Sequence, residues 1–277
     1  MESCRVEMRD LLAELGGRDA TGRGVRIAIV DSGVETDHPW IRGHVAASYS
    51  VIEQGGSYHV LKTRGGDLTG HGTAVAGQVR RFAPQAELVS VQVLGGGLKA
   101  NSESLLHALR WLATQEIDIM NLSLSTMREQ FALLIGHAID DLNARDVTCV
   151  CARGYHRRGR AYPTDFASTV AVSYGDLHPS RLVYRPHDPV EFDAAGQNVE
   201  VAWKGGGTRF TDGSSFACPL VTGLAARIRS LQLDLSPYEV KSWLKRYALR
   251  QEAGWREPWM DAVAEAPRAA PEAVGQG

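Results

Sequence analysis

The amino-acid sequence predicts an α/β protein in three layers, α/β/α, with a mostly parallel central sheet. Three observations carry this reading. Five apolar runs of strand length, rich in Val and Ile, recur at residues 25–30, 88–94, 117–122, 147–152 and 169–172. Each run is nearly continuous rather than alternating, as in strands buried on both faces. Helical patterns lie between the runs, which is the order that parallel βαβ connections require.

Taken in order, residues 1–21 read as a lead-in, a short helix and a Gly/Arg turn. One domain then covers residues 22–267. The first strand runs directly into Asp31, which places that carboxylate at the carboxyl edge of the sheet, where open α/β sheets form ligand sites. A helix is expected over 72–81, its small residues Gly72, Ala74, Ala76 and Gly77 allowing close packing. Further helices are expected over 102–115, 128–144, 215–231 and 237–247. In the third of these five helices Phe131, Leu134, Ile135, Ala138, Ile139 and Leu142 recur at helical spacing and read as core. Residues 268–277 are Ala, Pro, Glu and Gly with little to bury, and read as a disordered tail.

Composition narrows the function. Net charge is −2 with a pI near 6.5, so the sequence offers no electrostatic footprint for nucleic acid or an anionic membrane. No stretch approaches the ~20 apolar residues of a membrane span. Residues 1–17 are mixed in charge and lack the apolar core of a secretory signal. Cys149 and Cys151 stand two apart on an expected strand and point the same way, poor geometry for a mutual disulfide. They read as small core residues, and the expected location is the cytoplasm.

Three glycine-bracketed segments carry polar residues that suit one chemistry. They are Val30-Asp31-Ser32-Gly33, Gly70-His71-Gly72-Thr73 and Gly213-Ser214-Ser215-Phe216-Ala217-Cys218-Pro219. A serine hydroxyl is a weak nucleophile until an imidazole takes its proton. The imidazole needs a carboxylate to fix its tautomer and stabilise its charged form. Each residue alone has a structural reading: Asp31 as a turn residue, His71 as a packed helix-start histidine, Ser215 as a helix cap. Other site chemistries are missing: there is no Gly-x-Gly-x-x-Gly after a strand, no Gly-Lys-Ser/Thr and no His-Glu-x-x-His.

With their flanks, from Asp37-His38-Pro39 to Thr222-Gly223, these segments resemble the three signatures of the subtilase family of serine proteases, over roughly residues 22–265. The resemblance implies a subtilisin-like fold and a serine endopeptidase in which Ser215 is the nucleophile, His71 the base and Asp31 its orienter. No cofactor is implied. The expected partner is a polypeptide or precursor peptide bound as an extended strand, with neither nucleic acid nor membrane. The segments implied to bind it are Leu122-Ser123-Leu124-Ser125 and Ala152-Arg153-Gly154. The arginines around Arg153, with Arg157, Arg158 and Arg160, raise the expectation of a basic rim favouring acidic groups near the cleaved bond.

The chain departs from the family pattern in two places. Tyr155 stands where the family has an oxyanion-binding Asn, so Tyr155 or His156 becomes the candidate side-chain donor. Losing such a donor costs about 10²–10³ in rate, which keeps open a catalytically weak or inactive peptide-binding module. The second departure concerns a calcium site: its loop after the His helix is missing, and Trp40 replaces an acidic residue. No metal is therefore expected there. A selective intracellular processing protease is the favoured role.

Overall fold

A computed structural model describes residues 20–97, 101–154, 159–186 and 188–252. The expected lead-in and tail lie outside these residues, as do Tyr155, His156, Arg157 and Arg158. A nine-stranded sheet forms the middle layer, in the order β10-β11-β9-β8-β7-β1-β6-β3-β4. Its centre is β1 (Arg26–Asp31), flanked in parallel by β6 (Glu87–Gln92) and β7 (Ile119–Leu122). Beyond β7 come β8 (Thr148–Ala152), β9 (Val170–Gly175) and β11 (Phe192–Ala195), each parallel to its neighbour. Antiparallel pairing occurs only towards the two edges. There β10 (Val183–Tyr184) closes one side, and the hairpin β3 (Val45–Gln54) and β4 (Ser57–Thr63) closes the other.

Alternation along the strands divides the apolar interior into two cores, because successive side chains point to opposite faces. Ile27 and Ile29 of β1, with Val150 and Ala152 of β8, enter one core. Ala28 and Val30, with Cys149 and Cys151, enter the other. Helices α1 (His71–Phe82), α4 (Ser214–Leu231) and α5 (Pro237–Glu252) cover the first face; α2 (Ser102–Leu112) and α3 (Ala132–Asn143) cover the second. Three layers follow from this double burial, as the sequence predicts. Cys149 and Cys151 are buried free thiols on one face.

Local chemistry sets several helix ends. Asn101 caps α2 by accepting from Glu103 N at 3.1 Å, a favoured N-cap arrangement. α5 opens with a capping box: Glu239 accepts from Ser236 N at 2.9 Å, and Ser236 Oγ accepts from Glu239 N at 3.4 Å. α3 begins later than predicted, because residues 129–131 form a 3₁₀ turn before Ala132. In that helix Ile135, Ala138, Ile139 and Leu142 are buried as expected, but Leu134 remains 39% exposed. It sits at the margin of the apolar stripe, facing water.

Two hairpins escaped the sequence reading. In β3–β4 the turn is Gly55-Gly56, both with positive φ, the backbone that two-residue hairpins favour. β12 (Val199–Trp203) and β13 (Gly207–Thr211) form a second hairpin leading into α4. A short bridge of β2 (Gly33–Val34) with β5 (Gly66–Asp67) ties the loop after β1 to the loop before α1.

Candidate active site

Asp31 is the last residue of β1 and is fully buried. Its Oδ1 accepts from Ser32 N and faces His71 Nδ1, both at 2.7 Å. His71 is the first residue of α1, and its ring lies 5.3 Å from the ring of Phe216. That approach is possible because residue 72 is glycine. A Cβ there would stand 2.0 Å from the Gly33 carbonyl oxygen and 3.2 Å from Asp31 Cβ. The carboxylate thus holds the imidazole by Nδ1, a geometry in which an acid can orient the ring. Burial alone would lower the imidazole pKa, but the charge and hydrogen bond of Asp31, with the charge of Asp67, raise it above the ordinary value.

Ser215 is the second residue of α4, in the first turn, where backbone N–H groups lack intrahelical acceptors and suit developing negative charge. Among the described residues its hydroxyl hydrogen-bonds to the Ser123 carbonyl at 3.3 Å, and no hydrogen bond joins it to His71. The next residue, Phe216, places its ring 5.3 Å from the imidazole, which brings the start of α4 to the His71 side of the sheet edge. Pro219 shapes this corner. Lacking an N–H, it leaves the carbonyl of Ser215, four residues back, without its helical donor. Ser123 Oγ fills that role at 3.2 Å. Ser123 also accepts from Asn121 Nδ2 at 3.0 Å, and Asn121 Oδ1 accepts from Thr222 of α4 at 2.8 Å. Both Asn121 and Thr222 are fully buried. This chain locks the segment after β7 onto the helix that carries Ser215.

The two expected substrate segments leave adjacent strand ends. β7 ends at Leu122 and β8 at Ala152, with Leu122 opposite Cys151 in the parallel register. Ser123, Leu124 and Ser125 extend the first; Arg153 and Gly154 extend the second. The walls are fastened below: Thr126 and Tyr162 exchange backbone hydrogen bonds at 2.9 and 2.8 Å, and Ser214 Oγ donates to the Arg153 carbonyl. The basic rim needs correction at Arg153. Its guanidinium is paired with Asp165 and bonded to the Gly159 carbonyl at 2.8 Å, with only 10% of the side chain exposed. It supports the wall rather than offering charge to a ligand. Arg160 is exposed.

No group of three or more His, Cys, Asp or Glu suited to a metal exists among the described residues. Trp40, at the position where the family resemblance implies an acidic residue, packs instead against α1 beside Gly77. No helix of the described residues is long and apolar enough to cross a membrane.

Sequence reading missed Asp67. Its carboxylate accepts from Ser32 Oγ (2.7 Å), Thr69 N (2.9 Å), Gly70 N (2.8 Å), Thr73 N (2.7 Å) and Thr73 Oγ1 (2.6 Å). Burial would raise its pKa, yet these donors hold it below the ordinary carboxylate value. The available signal was an acidic residue just ahead of a helix start with Thr69 beside it.

Comparison with known proteins bears on this geometry. The model of the subtilase family matches residues 22–277. The chain belongs to the subtilase family. That family is a class of serine endopeptidases. M-protease of Shouchella clausii (strain KSM-K16) is 29% identical over 242 residues, which are 83% of this chain and 60% of that protein. The chain thus spans less than two thirds of M-protease, but 86% of Subtilisin Savinase of Lederbergia lenta, also 29% identical over 242 residues. Among solved structures, Sphericase superposes with a TM-score of 0.70 at 24% identity, over 82% of this subtilase and 83% of that chain. That likeness carries the fold, a three-layer α/β/α sandwich.

Proposed function

We propose that this subtilase hydrolyses peptide bonds through an acyl-enzyme on Ser215. The observation that supports it most is the buried 2.7 Å contact between Asp31 and His71, beside a serine in a helix first turn. In the productive arrangement Ser215 Oγ leaves the Ser123 carbonyl for His71 Nε2. As Oγ bonds to the scissile carbonyl carbon, its proton passes to Nε2, and Asp31 stabilises the resulting imidazolium. The Ser215 backbone N–H faces the developing oxyanion. Collapse of the tetrahedral species breaks the C–N bond, and His71 returns the proton to the leaving amine. Water, deprotonated by the same imidazole, then releases the acid and frees Ser215.

The substrate is a polypeptide in extended form, paired to the main chain of Leu122, Ser123, Leu124 and Ser125 and of Ala152, Arg153 and Gly154. Its role is selective processing within a reducing compartment, the cytoplasm. The buried free thiols Cys149, Cys151 and Cys218 suit that location.

A second reading, a weak or inactive peptide-binding module, draws on the hydrogen bond that keeps the Ser215 hydroxyl on Ser123 rather than on His71. Covalent labelling with a fluorophosphonate separates the two. Labelling that disappears in Ser215→Ala and His71→Ala supports the enzyme; an unlabelled wild-type protein that still binds extended peptides supports the module.

A further inference from the structure

The Asp31–His71 contact joins two elements 40 residues apart, and one hydrogen bond does not fix their separation. The start of α1 poses a second problem. Its N-cap, Gly70, has a left-handed backbone and no side chain to cap the first-turn N–H groups. Such groups need acceptors. They find them outside the helix: Gly70 N and Thr73 N on Asp67, His71 N on Thr69 Oγ1 at 3.2 Å, and Gly72 N on Ser32 Oγ at 3.0 Å. Ser32 Oγ donates in turn to Asp67 and accepts from Thr69 Oγ1 at 2.9 Å. Asp67 therefore bonds both the residue beside Asp31 and the turn that carries His71.

We propose that Asp67 is a positioning residue for His71, clamping the start of α1 to the strand end that holds Asp31 and adding a second negative charge near the imidazole. The proposal rests on the reading of Ser215 as nucleophile and His71 as base. Geometry gives the clamp, since one carboxylate oxygen serves Ser32, Thr69 and Gly70 while the other serves Thr73. An anion at a helix N-terminus also complements the macrodipole. Around His71, Asp31 of β1 contacts the ring at Nδ1, Asp67 of β5 acts on it through its charge, and the uncharged Phe216 ring of α4 lies 5.3 Å from it. Farther out, Glu35 accepts from Gly205 N, Lys204 donates to the Leu68 carbonyl, and Arg209 lies over the Trp203 ring. Asp67 is thus the second carboxylate acting on the imidazole, and its charge favours the protonated ring that forms during acyl transfer.

The test compares wild type, Asp67→Asn and Ser32→Ala in two measurements: fluorophosphonate labelling of Ser215 against pH, and the His71 imidazole titration by NMR, which needs no turnover. Asp67→Asn is expected to slow plateau labelling by up to about 100-fold and to move both the labelling acid limb and the NMR midpoint to lower pH. Ser32→Ala keeps the charge, so it should slow labelling while leaving both midpoints in place. A folded Asp67→Asn protein with an unmoved His71 midpoint and a labelling plateau within about twofold of wild type overturns the proposal. Should that variant fail to fold, Ser32→Ala and Thr73→Val carry the test, and unchanged plateaus in both overturn the clamp. Wild-type protein that resists labelling while its His71 midpoint still responds to Asp67→Asn counts against Ser215 as nucleophile and leaves the coupling standing.

Discussion

Asp31 and His71 meet at 2.7 Å inside a shell of buried donors, whereas Ser215 directs its hydroxyl at the Ser123 carbonyl 3.3 Å away. The Asp31–His71 half is assembled by the core itself: a strand end, a glycine that lets the helix approach, and a carboxylate that caps the helix from outside. The Ser215 half is tied to the segment after β7 through Ser123, Asn121 and Thr222. Orientation of the His71 ring is thus built in advance, while the Ser215 hydroxyl is bonded to the segment that, in the proposed reading, an extended peptide would pair with. A peptide that pairs with Ser123 and its neighbours acts on the same segment that holds the hydroxyl.

The largest effect that could break this comparison is loss of the relay. Ser215→Ala and His71→Ala are expected to remove turnover by a factor on the order of 10⁶, and Asp31→Asn by about 10⁴, measured as kcat on a peptide substrate. Because Asp31 and Asp67 raise the imidazole pKa, the acid limb of kcat/KM should lie above pH 6.5, the ordinary imidazole value. A limb at or below 6.5 would mean that His71 does not feel these carboxylates in solution.

Next in size is Gly72→Ala. The added methyl meets the Gly33 carbonyl oxygen at 2.0 Å, so α1 must shift away from β2 and, with it, from the end of β1. Overpacking of this kind costs about 1–3 kcal/mol, and a displaced imidazole loses about 100-fold in kcat. Thermal melts and kinetics read the two separately. A variant with full activity would show that the glycine contact does not set the distance between base and acid.

Asp67 sharpens the stability side of the same half. Its folded pKa lies below the ordinary 3.8, so its contribution is present above that value and fades as pH falls through the folded pKa. Asp67→Asn should lose about 1–3 kcal/mol at pH 7 and lose less than wild type on going from pH 5 to pH 2. Urea melts at both ends of that range measure it.

Smallest is Pro219→Ala on the Ser215 half. A restored N–H at 219 competes with Ser123 for the Ser215 carbonyl. Loss of one such hydrogen bond is about 1 kcal/mol, so KM should rise about fivefold with kcat little changed. An unchanged KM would detach the substrate wall from α4.

The buried strands were legible because double-sided burial leaves an unmistakable run of apolar residues, as in Ile27-Ala28-Ile29-Val30. The β3–β4 hairpin was not, since Val45–Gln54 is mostly half-buried and its residues form neither a continuous apolar run nor a clean alternation. Gly55-Gly56 was the usable sign. Glycine-bracketed Asp31, His71 and Ser215 stood out as candidates in one dimension. Asp67 did not, because a carboxylate that caps a helix four residues away looks like any loop acid until its donors are known. Arg153 misled for the complementary reason: its positive charge is visible in the sequence, while the partner that engages it, Asp165, is recognisable only in space.

Local residue pattern alone determined the three layers and where along the chain the central strands lie. Those properties depend on propensity and on burial periods that repeat within a few residues. Only the tertiary structure decided the 2.7 Å contact of Asp31 with His71, the hydrogen bond of Ser215 across 92 residues to Ser123, and the clamp at Asp67. Hydrogen bonds act over about 3 Å, whereas these partners lie tens of residues apart along the chain, so which of them meet is set by how the elements pack.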